Sequence, residues 1–141
     1  MTRMPLPLPV RAAGGPPVPC TECARCCTYV AIEINAPATA RYATDILWYL
    51  YHENVSVFLD DDGEWTLQFE TRCRNLRDDR LCAIYERRPH VCRDFDNTRC
   101  EVNAPGGRSF REPAEFLDYL KAKRPKVWRK IEKEYVGASR A

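Results

Sequence analysis

Four cysteines crowd into eight residues, at Cys20, Cys23, Cys26 and Cys27, and four more follow at Cys73, Cys82, Cys92 and Cys100. A two-residue gap lets neighbouring thiolates turn back toward one ion at Zn–S distances near ~2.3 Å, which Cys20 with Cys23 and Cys23 with Cys26 satisfy. Three ligands from one short loop is also an arrangement that iron–sulfur proteins use. Adjacent side chains diverge, so Cys26 and Cys27 are expected to face two metals, or one metal and a functional position. The downstream four form no local knuckle and must converge through the fold, each adding a ligand to a site nucleated by the first loop. Their number permits two four-thiolate sites, one cluster with spare thiols, or a binuclear site with shared ligands. Cys82, beside Leu81, Ala83 and Ile84, also reads as a small buried hydrophobe.

Compartment decides between ligation and disulfides. No stretch approaches the ~20 apolar residues of a membrane span, and the N-terminus lacks the apolar run of a signal peptide. A cytoplasmic location is therefore the expectation, and there disulfides are rare, so zinc or iron–sulfur ligation accounts for eight cysteines better than a secreted scaffold does. With 45% hydrophobic and 30% charged residues, the chain has the composition of a globular protein rather than a disordered one. A formal net charge of +2 gives little reason to expect a nucleic-acid partner.

The expected architecture is α+β: a small single metal-stabilised domain with a β-hairpin, two main helices and irregular cysteine-rich loops. Residues 1–19 hold six prolines with Gly14 and Gly15 and read as a Pro-rich tail. Residues 20–136 read as the cysteine-cluster domain, and 137–141 as a short flexible C-terminus. Thr28 to Ile34 alternates as a strand, and Ala38 to His52 carries Ala40, Ala43, Ile46, Leu47, Leu50 and Tyr51 at helical spacing, with Asn35 as the expected cap. His52 is expected to meet the dipole of that helix's end. Val55–Leu59 and Trp65–Phe69 flank Asp60-Asp61-Asp62-Gly63 as a hairpin. Residues 71–100 are irregular and rich in arginine, with a turn at Arg77 to Arg80, and 104–108 reads as a loop. Pro113 to Tyr135 is helical, broken before Pro125, with Phe116, Leu117, Leu120, Val127, Trp128, Ile131 and Tyr135 facing inward.

Other polar residues rank below the cysteines. His90, just after Pro89, reads equally as a ligand or as an exposed turn residue. Asp94 and Asp96 are expected in salt bridges with Arg87, Arg88, Arg93 or Arg99, and the arginines suit the excess negative charge of a thiolate site.

Two segments together carry a family resemblance. Cys20-Thr21-Glu22-Cys23-Ala24-Arg25-Cys26-Cys27, followed by Cys82-Ala83-Ile84-Tyr85-Glu86-Arg87-Arg88-Pro89-His90-Val91-Cys92-Arg93-Asp94-Phe95, resembles the CxxCxxCC (YkgJ-like) cysteine-cluster family of zinc- or iron-chelating proteins. The resemblance spans about Cys20 to Cys100 and departs from the usual pattern at Asp96, where a proline often stands. It implies metal ligation by the matching cysteines, with Tyr85, Arg87 and Pro89 shaping the second half of the site. Flagellin lysine methylase resembles the same cysteine cluster, which makes an iron–sulfur enzyme or redox subunit the alternative to a metal-organised module. No Gly-rich strand-to-helix loop and no C-x3-C-x2-C radical motif accompany it. A third reading is an accessory subunit that uses the Pro-rich tail or the basic last helix as a tether to a protein or to RNA.

Overall fold

The computed structural model describes residues 24–94 and 106–138, with side chains as far as Glu134. The expected Pro-rich tail, Cys20, Cys23, Asp96, Cys100 and the side chain of Tyr135 lie outside the described residues. Two compact units divide the chain: the first comprises Met1–Val30 and Thr71–Gly106, the second Ala31–Glu70 and Gly107–Ala141.

The class is α+β. A four-stranded sheet has the order β1-β3-β2-β4, with β1 Tyr29–Ile34, β2 Val55–Leu59, β3 Trp65–Glu70 and β4 Arg108–Phe110. The hairpin forms as its alternation dictates: β2 and β3 run antiparallel, with Val55 opposite Phe69, Val57 opposite Leu67 and Leu59 opposite Trp65. Its loop reverses on Gly63 at φ 87, a left-handed conformation that costs glycine nothing. Asp60 fixes the loop by accepting from the amides of Asp62 and Glu64 at 2.9 and 2.8 Å.

Helix α1 spans Ala40–Leu50 and buries Ala43, Ile46, Leu47 and Leu50, one apolar stripe at helical spacing. Its cap is Thr39 rather than Asn35. The Thr39 hydroxyl accepts the Tyr42 amide at 3.2 Å from an extended Thr39, and the chain before it bends at Pro37, where the Ala38 amide donates to the Ala36 carbonyl at 2.7 Å. Tyr51, expected inside, is 56% exposed because it falls past the last turn on the wet side. The His52 ring meets the helix end as expected, with Nδ1 2.8 Å from the Trp48 carbonyl.

Proline divides the C-terminal helical region as its missing amide requires. Helix α3 covers Pro113–Lys123 and α4 covers Pro125–Ala138. Glu115 Oε1 accepts the amides of Arg111 and Glu112 and so closes the start of α3. The strand β4 was not visible in the sequence, because three residues are too short for alternation to register. Gly107, at φ 69, makes it possible: its amide donates to Asp61 at 2.9 Å, and a Cβ there would sit 2.4 Å from the Leu59 carbonyl oxygen.

The hydrophobic core lies in the second unit. Trp65 and Phe110 stack with centroids 5.6 Å apart, Tyr119 packs edge-on at 5.3 Å from each, and Phe116 closes the cluster. Leu67, Val57, Leu120, Val127, Trp128 and Ile131 complete it. Phe110 and Tyr119 are core members that periodicity alone did not single out.

Candidate metal centre

The five described cysteines, Cys26, Cys27, Cys73, Cys82 and Cys92, all lie in the first unit. Cys20, Cys23 and Cys100 fall within its sequence ranges but outside the described residues. Each described thiol is reached by local backbone logic that starts from the sequence.

Cys26 and Cys27 sit on a 3-10 turn, Arg25–Thr28. Ala24 enters it at φ 54, in the left-handed region that a residue with a Cβ rarely occupies. The Cys27 amide closes the turn on the Ala24 carbonyl at 3.1 Å. Arg25 braces it: its guanidinium donates to the Thr28 hydroxyl at 2.7 Å and lies 4.7 Å from the Tyr29 ring centroid. Cys26 is exposed and Cys27 half-buried, so the two neighbours do differ in environment.

The distant cysteines are joined to this turn by backbone hydrogen bonds. The Thr71 amide donates to the Thr28 carbonyl at 2.9 Å, and the Cys73 amide to the Cys27 carbonyl at 2.7 Å. From Cys73 the chain folds back on itself. Leu76 donates to the Cys73 carbonyl at 3.2 Å, Leu76 and Cys82 form a bridge, and Ala83 donates to Asn75 at 2.8 Å. The reversal is the expected turn at Arg77 to Arg80, closed by Arg80 donating to Arg77 at 3.1 Å and by the Arg77–Asp79 ion pair at 2.8 Å. Arg80 there has φ 69. Cys27, Cys73 and Cys82 are thus carried on one hydrogen-bonded backbone network, although they are far apart in sequence.

Cys92 lies on a separate short turn, α2, His90–Arg93, which follows the 3-10 turn Tyr85–Arg87. The Pro89 carbonyl accepts the amides of Cys92 and Arg93 at 3.0 and 3.2 Å, which starts the turn. Arg88, not the neighbouring Arg87 that the resemblance singles out, ties these pieces together. It donates to the Tyr85 carbonyl at 2.9 Å and to the Cys92 carbonyl at 3.4 Å, and its guanidinium lies 3.9 Å from the Tyr85 ring centroid. No pattern in the sequence separates Arg88 from the other arginines around it.

His90 is exposed, and Asp94 makes no ion pair among the described residues; its amide donates to His90 instead. Arg72–Asp78 and Arg77–Asp79 are ion pairs among the described residues of this segment. Among the described residues no group of three or more His, Cys, Asp or Glu side chains is gathered for a metal ion. No described residue of the first unit is buried.

These features define an α+β protein with a hydrophobic core in the second unit and a cysteine-bearing first unit none of whose described residues is buried. The chain belongs to the CxxCxxCC family, described as "Putative zinc- or iron-chelating domain", whose model matches residues 19–122. Metal chelation is thereby its family's function. Comparison with curated proteins and with solved structures gave no significant match. No helix among the described residues is long and apolar enough to cross a membrane.

Proposed function

We propose that the first unit is a metal-organised module in which Cys20, Cys23, Cys26, Cys27, Cys73, Cys82, Cys92 and Cys100 ligate zinc or an iron–sulfur cluster. One observation carries this reading: the first unit buries none of its described residues, yet its backbone brings Cys27, Cys73 and Cys82 onto a common network. A polypeptide that cannot bury enough apolar surface needs staples or metal to hold a single conformation. Cys73, Cys82 and Cys92 are free cysteines, which leaves them available as thiolate donors.

Charge supports the same reading. The sequence ranges of the first unit contain eleven arginines, no lysine and seven carboxylates, a formal +4, whereas every lysine falls in the second unit. Two zinc ions, each held by four thiolates, would carry a formal −2 apiece. Arginine keeps its charge at every physiological pH and donates hydrogen bonds in a fixed fork, which suits it to sit beside thiolates without competing for the ion. Arg74 and Arg93 each follow a cysteine directly.

When bound, the metal would supply cross-links between the Cys27 turn and the downstream segment. Structural zinc contributes on the order of 10 kcal/mol of apparent folding free energy, comparable with the whole net stability of a domain. Anaerobic purification followed by metal analysis and an absorption spectrum tests the proposal. Zinc at two ions per chain, or iron with acid-labile sulfide and visible absorption, is the expected result. A folded chain carrying neither metal overturns it.

A further inference from the structure

The five lysines of the chain all fall between Lys121 and Lys133, whereas its seventeen arginines are spread along the whole sequence. A net charge of +2 hides this concentration. On α4 the buried residues Val127, Trp128 and Ile131 mark the face that packs on the core. Lys126, Arg129, Lys130 and Lys133, three and four residues apart, occupy the opposite face, and all four are exposed. Glu132 and Glu134 fall on the flanks between the two faces. The result is a single row of positive charge, about 10 Å long at 1.5 Å per residue.

That row is unfavourable for the helix that carries it. Lys126 neighbours Arg129 and Lys130, and Lys133 neighbours the same two, so every pair at helical contact spacing within the row is like-charged and works against the helix. Lys126 also stands in the first turn, at the positive end of the helix dipole, and no acidic residue stands there to oppose it. None of the four makes an ion pair among the described residues. Lys121 and Lys123 have a local explanation: they lie in the last turn of α3, where the dipole favours cations, and Lys121 Nζ is 5.2 Å from the Trp128 ring centroid. The row on α4 has no such compensation. A face kept only for solubility would mix the two signs, whereas one that breaks local rules with no return inside its own fold points to a ligand of opposite charge.

We propose that this row on α4 docks on the phosphate backbone of double-stranded DNA, without regard to base sequence. A duplex presents one negative charge per ~1.7 Å of axis, so the row faces on the order of six phosphates and has four cations to neutralise them. Ammonium and guanidinium groups are donors only. They hold phosphate oxygens, but they offer no acceptor for the 2′-hydroxyl hydrogen by which RNA is distinguished. No large hydrophobic side chain is exposed among the described residues of α3 and α4. Single strands are thereby disfavoured, because their bases stack on exposed aromatics, and so are membranes, into which a helix inserts an apolar face that α4 has already buried in the core.

Fluorescence anisotropy of a labelled DNA duplex, titrated with the full chain, tests this directly. Binding should weaken about 100-fold between 50 and 200 mM salt, as four neutralised phosphates require, and two unrelated duplex sequences should bind alike. Lys126→Gln combined with Lys130→Gln should lower affinity at 50 mM salt by about tenfold or more and roughly halve the salt dependence. The same variant should keep or raise the thermal midpoint, because like-charge pairs are lost, and Lys126→Arg with Lys130→Arg should retain both affinity and salt dependence. Failure to bind the duplex at 50 mM salt, or a glutamine variant that binds like the parent, overturns the proposal. So does binding as tight or tighter to single-stranded DNA, to duplex RNA or to phosphatidylserine vesicles at matched phosphate concentration.

Discussion

The amide of Cys73 donates to the carbonyl of Cys27 at 2.7 Å, which fixes the first downstream cysteine beside the last residue of the N-terminal cysteine run. That bond is made by backbone atoms and so does not depend on either thiol. Under the proposed ligation, a metal held at this point would close a contact already prepared by the chain, which would lower the ordering entropy that metal binding must offset.

Metal removal should act unevenly. The buried core belongs to the second unit, and no described residue of the first is buried, so stripping the metal under reducing conditions should loosen the first unit and leave the second folded. Hydrogen exchange provides the measurement. Amides of Cys73, Ala83 and Cys92 should lose protection on chelation, while those of Ile46, Leu47 and Leu67 keep it. Equal loss in both units would show that the core depends on the metal as well.

Replacement of Cys73 by serine should lower the metal bound per chain without altering the core. The side chain is exposed, and the bond to Cys27 uses the main chain, so Cys73→Ser removes a thiolate donor and little else. Metal analysis of the purified variant against the parent is the check. Unchanged stoichiometry and unchanged resistance to a chelator would remove Cys73 from the ligand set.

Two left-handed residues make opposite predictions. Ala24 occupies φ 54 with a Cβ, so Ala24→Gly should stabilise the Cys27 turn by about 1 kcal/mol, read as slower exchange at the Cys27 amide. Gly107 occupies φ 69 with the Leu59 carbonyl in the way of any Cβ. Gly107→Ala should therefore cost more than ~2 kcal/mol and lower the thermal midpoint of the second unit by several degrees. A neutral Gly107→Ala would mean that β4 pairs with β2 without help from that close approach.

Phe110→Ala should be the most damaging of the aromatic truncations. Phe110 is fully buried, stacks on Trp65, and touches Phe116 and Tyr119 at centroid separations of 5.7 and 5.3 Å. Burial of that size puts the loss at about 3–5 kcal/mol, enough to unfold a marginal domain at ambient temperature. Denaturant unfolding of the metal-loaded variant measures it. A loss below ~1 kcal/mol would mean the ring's neighbours collapse into the cavity.

The second unit was largely legible from its residues, and the reason is periodicity. The alternation of Trp65, Leu67 and Phe69 and the helical spacing of Ala43, Ile46, Leu47 and Leu50 are repeated signals, and the fold obeys them. Failures came where a signal is single or absent: Thr39 competes with Asn35 for one cap, and Arg108–Phe110 is too short to alternate. Val30 and Ile32 alternate as a strand should but remain exposed, because alternation assigns a face and not what lies over it.

By itself the sequence determined the inventory of groups: eight thiols, their order, the doubled cysteine at Cys26 and Cys27, and the break at Pro125 follow from residue identity alone. Tertiary structure decided which distant pieces meet. Cys27 beside Cys73, Cys73 turned back toward Cys82, Arg88 rather than Arg87 bracing Cys92, and Gly107 beneath Leu59 all depend on chain reversals. The physical reason is that side-chain type and local periodicity are properties of a few neighbouring residues, whereas contacts between remote segments are fixed only once the backbone hydrogen bonds of the whole fold have been shared out.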